Sequence, residues 1–129
     1  MSRPVMTVTP RDTLRTARVL MAENRINQLP VVRSRRLVGI VTDRDLRDAY
    51  PSSVQGYPGK KVDAFADAHT IEEVMTFSVV SVAAEAAVEE AASLLRRHRI
   101  GALPVVDKGK LVGILTRSDI LDYLLSRSR

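Results

Sequence analysis

The chain has 129 residues, 45% of them apolar, enough to bury a core for one compact domain or two small halves. No run approaches the roughly 18 apolar residues of a membrane span, and with no cysteine there is no disulfide framework, thiolate nucleophile or cysteine-ligated metal. A formal charge of +5 favours anionic partners, while 4% aromatics argue against the stacking platforms that bind single-stranded nucleic acid.

The N-terminal MSRPVMTVTPRD lacks the apolar stretch of a secretory signal, so a cytoplasmic protein is expected. Within it VMTV suits a brief strand. Leu14, Ala17, Leu20 and Met21 then recur at helical spacing and form one apolar stripe. LPVV and LVGIV come next as β-branched runs split by the turn-like RSRR, and Leu46 and Ala49 open a closing helix. YPSSVQGYPGKKVDAFADAH collects turn-formers, shows no sustained period and reads as a connector. Thr70 to Glu73 has the spacing of a capping box, which predicts a short helix leading into the second half of the chain. VVSV, a stripe of Val88, Ala91, Leu94 and Leu95, the strands LPVV and LVGIL around DKGK, and a helix bearing Ile120, Leu121, Leu124 and Leu125 complete the chain.

The second series repeats the first. A shift of 74 aligns Arg25 to Asp48 with Arg99 to Asp122 without a gap, and 13 of 24 positions are identical. The predicted order is β-α-β-β-α, twice: a first repeat over 1–55, a connector over 56–69 and a second repeat over 70–129. A half of this size buries too little surface to offset its chain entropy. The two are therefore expected to pack sheet to sheet around one core, as an α/β (α+β) fold. Equivalent loops would then meet about a pseudo-twofold axis and form paired clefts.

Pro30 and Pro104 cannot donate a hydrogen bond and are expected at strand starts or edges. Gly39 and Gly113 lie inside strands, where glycine marks either tight packing or a close approach of backbone to a ligand. Thr42 and Thr116 stand where strand gives way to helix, with Asp45 and Asp119 three residues later. One reading is capping, a threonine N-cap with an acid at the third helical position, contributing about 1 kcal/mol. The other uses the same geometry for a ligand: free N–H groups and a hydroxyl suit phosphate, and the carboxylate suits ribose hydroxyls.

The segments NRINQLPVVRSRRLVGIVTDRDLRDA and HRIGALPVVDKGKLVGILTRSDILDYL both resemble the CBS domain, as do the TVTP start and the EEVMT that leads into the second unit. The resemblance covers nearly the whole chain and implies a Bateman module, in which two repeats bind adenosyl compounds (AMP, ADP, ATP, S-adenosylmethionine or NAD) in the clefts between them. The family's motif is met by Gly39, Thr42 and Asp45 and again by Gly113, Thr116 and Asp119. By resemblance the aspartates hold ribose hydroxyls and the threonines meet phosphate or ribose. Arg44 and Ser118, inside the motif, are further phosphate candidates. Asn27-Gln28 and Gly101-Ala102, where the strands begin, occupy another position that lines the family's cleft. The second of these pairs has no polar side chain, so unequal clefts are expected. Arg44 has an alternative role, balancing Asp48 one turn on.

Catalysis finds no carrier. His69 falls in the connector, His98 ends a helix, and neither has a spaced partner for a metal or a triad. Arg96, Arg97, His98 and Arg99 close that helix, where cations favourably meet its dipole or serve a phosphate or a partner. A nucleic-acid-binding protein is a rival, but its basic residues are scattered and match no DNA-reading pattern. A ligand-independent interaction module is another. The expectation is a non-enzymatic regulatory module without obligatory cofactor or metal, taking an adenosyl nucleotide, forming a homodimer and acting on a partner protein.

Overall fold

The computed structural model describes residues 5–51, 60–77 and 79–127. It has the mixed α and β content expected, in two compact units. One holds Met6–Ser34 and Val38–Val79; the other holds the residues from Val80 on, together with Arg35–Leu37.

In the first unit Thr13 caps helix α1 (Leu14–Asn24), its side chain accepting the Thr16 amide at 3.2 Å. Arg25 then turns the chain left-handed (φ 53°), with its N–H on the Met21 carbonyl. Strands β1 (Gln28–Arg33) and β2 (Arg36–Thr42) come next, and β2 runs directly into helix α2 (Asp43–Ala49). The brief strand expected from VMTV is a single parallel bridge, Val8 to Val31. Pro30 directs its carbonyl to the Val8 amide (3.1 Å), so its missing N–H falls on the side of this short edge segment, where pairing only begins.

The connector departs from its expected irregularity. Helix α3 (Lys60–Ala68) occupies it, because Val62, Phe65, Ala66 and His69 stand at i, i+3, i+4 and i+7 and offer an apolar flank to α1. Asp67 pairs with Arg15 at 2.8 Å, Asp63 pairs with Arg18, and Ala66 is fully buried. The Thr70 capping box then starts a single 3-10 turn, Ile71–Glu73.

The second unit repeats the order with β3 (Val82–Ala83), α4 (Val88–His98), β4 (Ala102–Asp107), β5 (Lys110–Thr116) and α5 (Arg117–Arg127). β4 pairs antiparallel with β5 and parallel with the short β3. No side chain caps α4, but Glu89 and Glu90 in its first turn and Arg96, Arg97 and His98 in its last complement the helix dipole.

Each unit has its own cluster of buried apolar residues. Leu14, Ala17 and Met21 of α1 meet Leu29, Val31, Val41, Leu46, Ile71 and Met75 in one; Ala91 and Leu95 of α4 meet Leu103, Val105 and Ile120 in the other. α3, the 3-10 turn and the segment after it add Ala66, Ile71 and Met75 to the first.

Candidate functional site

The repeated sequence builds the same joint in each unit. In the first, β2 delivers Thr42 to the N-cap of α2. The Thr42 hydroxyl oxygen accepts the Asp45 amide at 3.0 Å, and Asp45 Oδ2 accepts the Thr42 amide at 2.9 Å, a reciprocal capping box. The Asp43 amide donates to the Asn27 carbonyl at 2.8 Å, which fastens the start of β1 to the start of α2. Asn27 is exposed, and Gln28, Thr42 and Asp45 are half-buried.

In the second, Asp119 Oδ2 accepts the Thr116 amide at 2.8 Å and the Thr116 hydroxyl at 3.0 Å, while the Asp119 amide donates back to that hydroxyl oxygen at 3.2 Å. The Arg117 amide donates to the Gly101 carbonyl at 3.2 Å, the counterpart of the Asp43 to Asn27 bond. Burial disfavours the charged Asp119 carboxylate, but the hydrogen bonds from Thr116 help bring its pKa below the ordinary value.

The remaining candidates divide by exposure. Arg44 is 84% exposed, its Nε 3.9 Å from Asp48, so it occupies the alternative role of a loose i,i+4 ion pair. Ser118 is exposed. Gly101 is exposed, and a Cβ placed there would meet nothing within 4 Å. Ala102 is 8% exposed, so its side chain belongs to the interior and only its backbone is near the joint.

Gly39 has the packing role. A Cβ there would lie 2.9 Å from both Met75 Sδ and the Thr76 carbonyl oxygen. Ile40 and Thr76 exchange backbone hydrogen bonds of 2.9 and 2.8 Å, so the segment after the 3-10 turn lies directly across this glycine.

The sequence reading missed the carboxylates of α3. The Arg18 guanidinium holds Asp63 below the ordinary carboxylate range, burial opposing it and the charge of Arg15 assisting. His69, beyond the helix, stacks on Phe65 (4.2 Å between ring centres) and meets Glu73 at 2.9 Å. The i,i+4 spacing of Asp63 and Asp67 was the available signal. Among the described residues no cluster of His, Asp or Glu is placed to hold a metal, and no helix is long and apolar enough to cross a membrane.

Known proteins are similar to this chain in sequence and fold. A profile of the CBS domain matches residues 1–52 and 71–126. A CBS domain-containing protein of Dictyostelium discoideum is 39% identical over 129 residues, 97% of this chain and 88% of that one. The inosine-5′-monophosphate dehydrogenase of Korarchaeum cryptofilum is 36% identical over 119 residues, but the match spans 92% of this chain and only 22% of that enzyme. The crystal structure of CBSX2, an Arabidopsis thaliana CBS-pair protein, in complex with AMP superposes with a TM-score of 0.78 at 32% identity, covering 98% of this chain and 92% of that one. With a matching repeat on either side of the α3 connector, the chain belongs to the CBS domain family and is a CBS-pair regulatory module.

Proposed function

We propose that this CBS pair senses an adenosyl nucleotide, chosen from AMP, ADP, ATP, S-adenosylmethionine and NAD, and relays its presence to a partner protein or to its own assembly. One observation carries the reading. The Thr–Asp box is built twice, and each time it is tied by a backbone hydrogen bond to the start of the repeat's own strand. That joint groups a helix start, a hydroxyl and a carboxylate with a strand start, the set of groups that ribose and phosphate require. The AMP bound by CBSX2 supports the ligand class.

Asp45 and Asp119 take the ribose hydroxyls, and Thr42 and Thr116 take ribose or phosphate. The cap engages Asp45 through Oδ2, so Oδ1 is the atom that meets the sugar. Asn27, Gln28, Gly101 and the backbone of Ala102 line the approach. Arg44 and Ser118 serve the phosphates, Arg44 by swinging away from Asp48. A 3.9 Å pair between exposed side chains contributes between 0 and about 1 kcal/mol, so releasing it costs little. The module performs no reaction of its own, needs no obligatory cofactor, works in the cytoplasm and assembles as a homodimer. Exposed leucines on α5, Leu121 at 59% and Leu125 at 67%, support the last point.

Thermal melts and calorimetry with the five compounds at millimolar concentration test the reading. A ligand at about 100 times its dissociation constant adds roughly 2.7 kcal/mol to apparent stability. No shift and no heat with any of the five would leave a ligand-independent interaction module in its place.

A further inference from the structure

Ser34 and Arg35 turn β1 into β2, and Lys108 and Gly109 turn β4 into β5. The strands leaving these turns meet. Arg36 stands opposite Lys110 where β2 pairs antiparallel with β5, the Leu37 amide donates to the Gly109 carbonyl at 3.2 Å, and the Leu111 amide donates to the Arg35 carbonyl at 2.9 Å. The Arg36 guanidinium lies against Gly109, where a Cβ would collide with it, and its Nη1 donates to the Lys108 carbonyl at 3.4 Å. Arg35, Arg36, Lys108 and Lys110 all belong to the unit that continues from Val80.

The charges gathered here oppose the local structure. Arg36 and Lys110 are like charges directly across a strand pair, a destabilising arrangement. Arg35 (φ 70°) and Lys108 (φ 52°) hold the left-handed backbone that a two-residue hairpin turn requires, positions where asparagine or glycine is favoured. Residues 33–36 and 107–110 contain five cations and one acid, Asp107. Arg35, Arg36, Lys108 and Lys110 are exposed, and among the described residues none of them forms an ion pair. Places where turn chemistry and charge pairing both depart from the local rule are where a function is expected.

We infer that the two turns together bind an anion carrying two or more phosphates, through residues that take no part in the Thr–Asp joints. The Lys108 carbonyl engages Arg36 through Nη1, which leaves the other N–H groups of the guanidinium for a phosphate, and the lysine ammonium groups serve its neighbour. An anion between Arg36 and Lys110 also removes the repulsion that the free protein carries. Neither turn has an aromatic ring on which a base could stack, so phosphate is the part recognised. Free polyphosphate anions and phospholipid headgroups both offer this chemistry.

Calorimetry with inorganic tripolyphosphate, which has neither ribose nor base, and flotation with phosphatidylcholine vesicles with or without phosphatidylglycerol test the site. Arg36→Gln with Lys110→Gln removes two charge-assisted contacts and should weaken binding at least about tenfold. Arg11→Gln with Lys60→Gln removes the same charge at exposed positions of the other unit and should leave binding largely intact. Because the first variant also loses a like-charge pair, it should melt no lower than wild type in low salt, which separates a lost site from a lost fold. If it does melt lower, Lys108→Asn with Lys110→Gln takes its place, asparagine suiting the left-handed turn. Heat with tripolyphosphate that the turn substitutions abolish assigns a free anion. Flotation that needs phosphatidylglycerol and is lost with the same substitutions, without heat from tripolyphosphate, assigns a headgroup. No binding to either probe, or binding that the turn substitutions reduce no more than the control pair does, overturns the inference.

Discussion

Asp45 and Asp119 each have two assignments, cap and ribose ligand, and replacing each by asparagine separates them. Asparagine keeps an acceptor for the threonine amide that now reaches Oδ2 at 2.9 Å in the first unit and 2.8 Å in the second. What it loses is charge, and with it about 0.3–1 kcal/mol of interaction with the helix start plus the charge assistance of one hydrogen bond at Asp45 and of two at Asp119. The cost is then near 1 kcal/mol per site, on the order expected for a lost helix cap. At about 2.1 cal/mol/K of unfolding entropy per residue, a chain of 129 residues loses roughly 4 °C of melting temperature. Ribose depends more on the charge, since hydrogen bonds to charged groups contribute roughly 1–1.5 kcal/mol more than neutral ones, or about tenfold in dissociation constant. A wild-type protein held at ~100 times its dissociation constant gains ~10 °C from ligand; a tenfold weaker variant at the same concentration gains ~5 °C. Differential scanning fluorimetry with and without ligand, backed by calorimetric affinities, reads both quantities. If the unliganded melts fall by that amount while affinity holds at both sites, the carboxylates are caps only.

The legible parts of this chain are those where one local rule acts alone. The stripe of Leu14, Ala17 and Met21, the two Thr–Asp boxes and the turns at Ser34–Arg35 and Lys108–Gly109 are set by residues within a few positions of one another. The turn residues all take positive φ, although the first turn contains no glycine. The repeat also locates the joint, because thirteen identities select the strand-to-helix boundary. The rest depends on distant partners. Gly39 reads as a packing site or as a ligand approach until Thr76 lies across it. α3 follows directly on a run of prolines and glycines, and its nine residues are too few to stand as a helix without the flank of α1. Ala102 sits beside Gly101 in sequence, yet it opens β4, whose first four residues are all buried, while Gly101 stays at the surface just before the strand.

Gly39→Ala should destabilise the first unit by roughly 1–3 kcal/mol, because the new methyl meets a backbone carbonyl that cannot rotate aside. A gain of about 0.4–1 kcal/mol in urea unfolding, as expected for glycine in unstrained open space, would refute the packing role. The Arg18–Asp63 pair should give an acid-sensitive increment: the folded carboxyl lies below its ordinary 3.8, so its contribution is present above that pH and disappears as pH falls through the folded value. The melting difference between wild type and Asp63→Asn should therefore be full at neutral pH and vanish in strong acid; a difference constant from pH 6 to pH 2 would contradict it. The last prediction concerns Arg44, whose counterpart in the second repeat is Ser118. A guanidinium makes a bidentate, charge-assisted contact to phosphate that a hydroxyl cannot imitate, and only a loose 3.9 Å pair with Asp48 holds it back. The site at the first motif should thus gain more from each added phosphate than the site at the second. In calorimetric titrations of AMP, ADP and ATP, Arg44→Ser should lower the preference for the longer phosphate chain while leaving AMP affinity nearly unchanged. If the order and spacing of the three affinities survive the substitution, Arg44 serves only its exposed pair with Asp48 and has no place in the site.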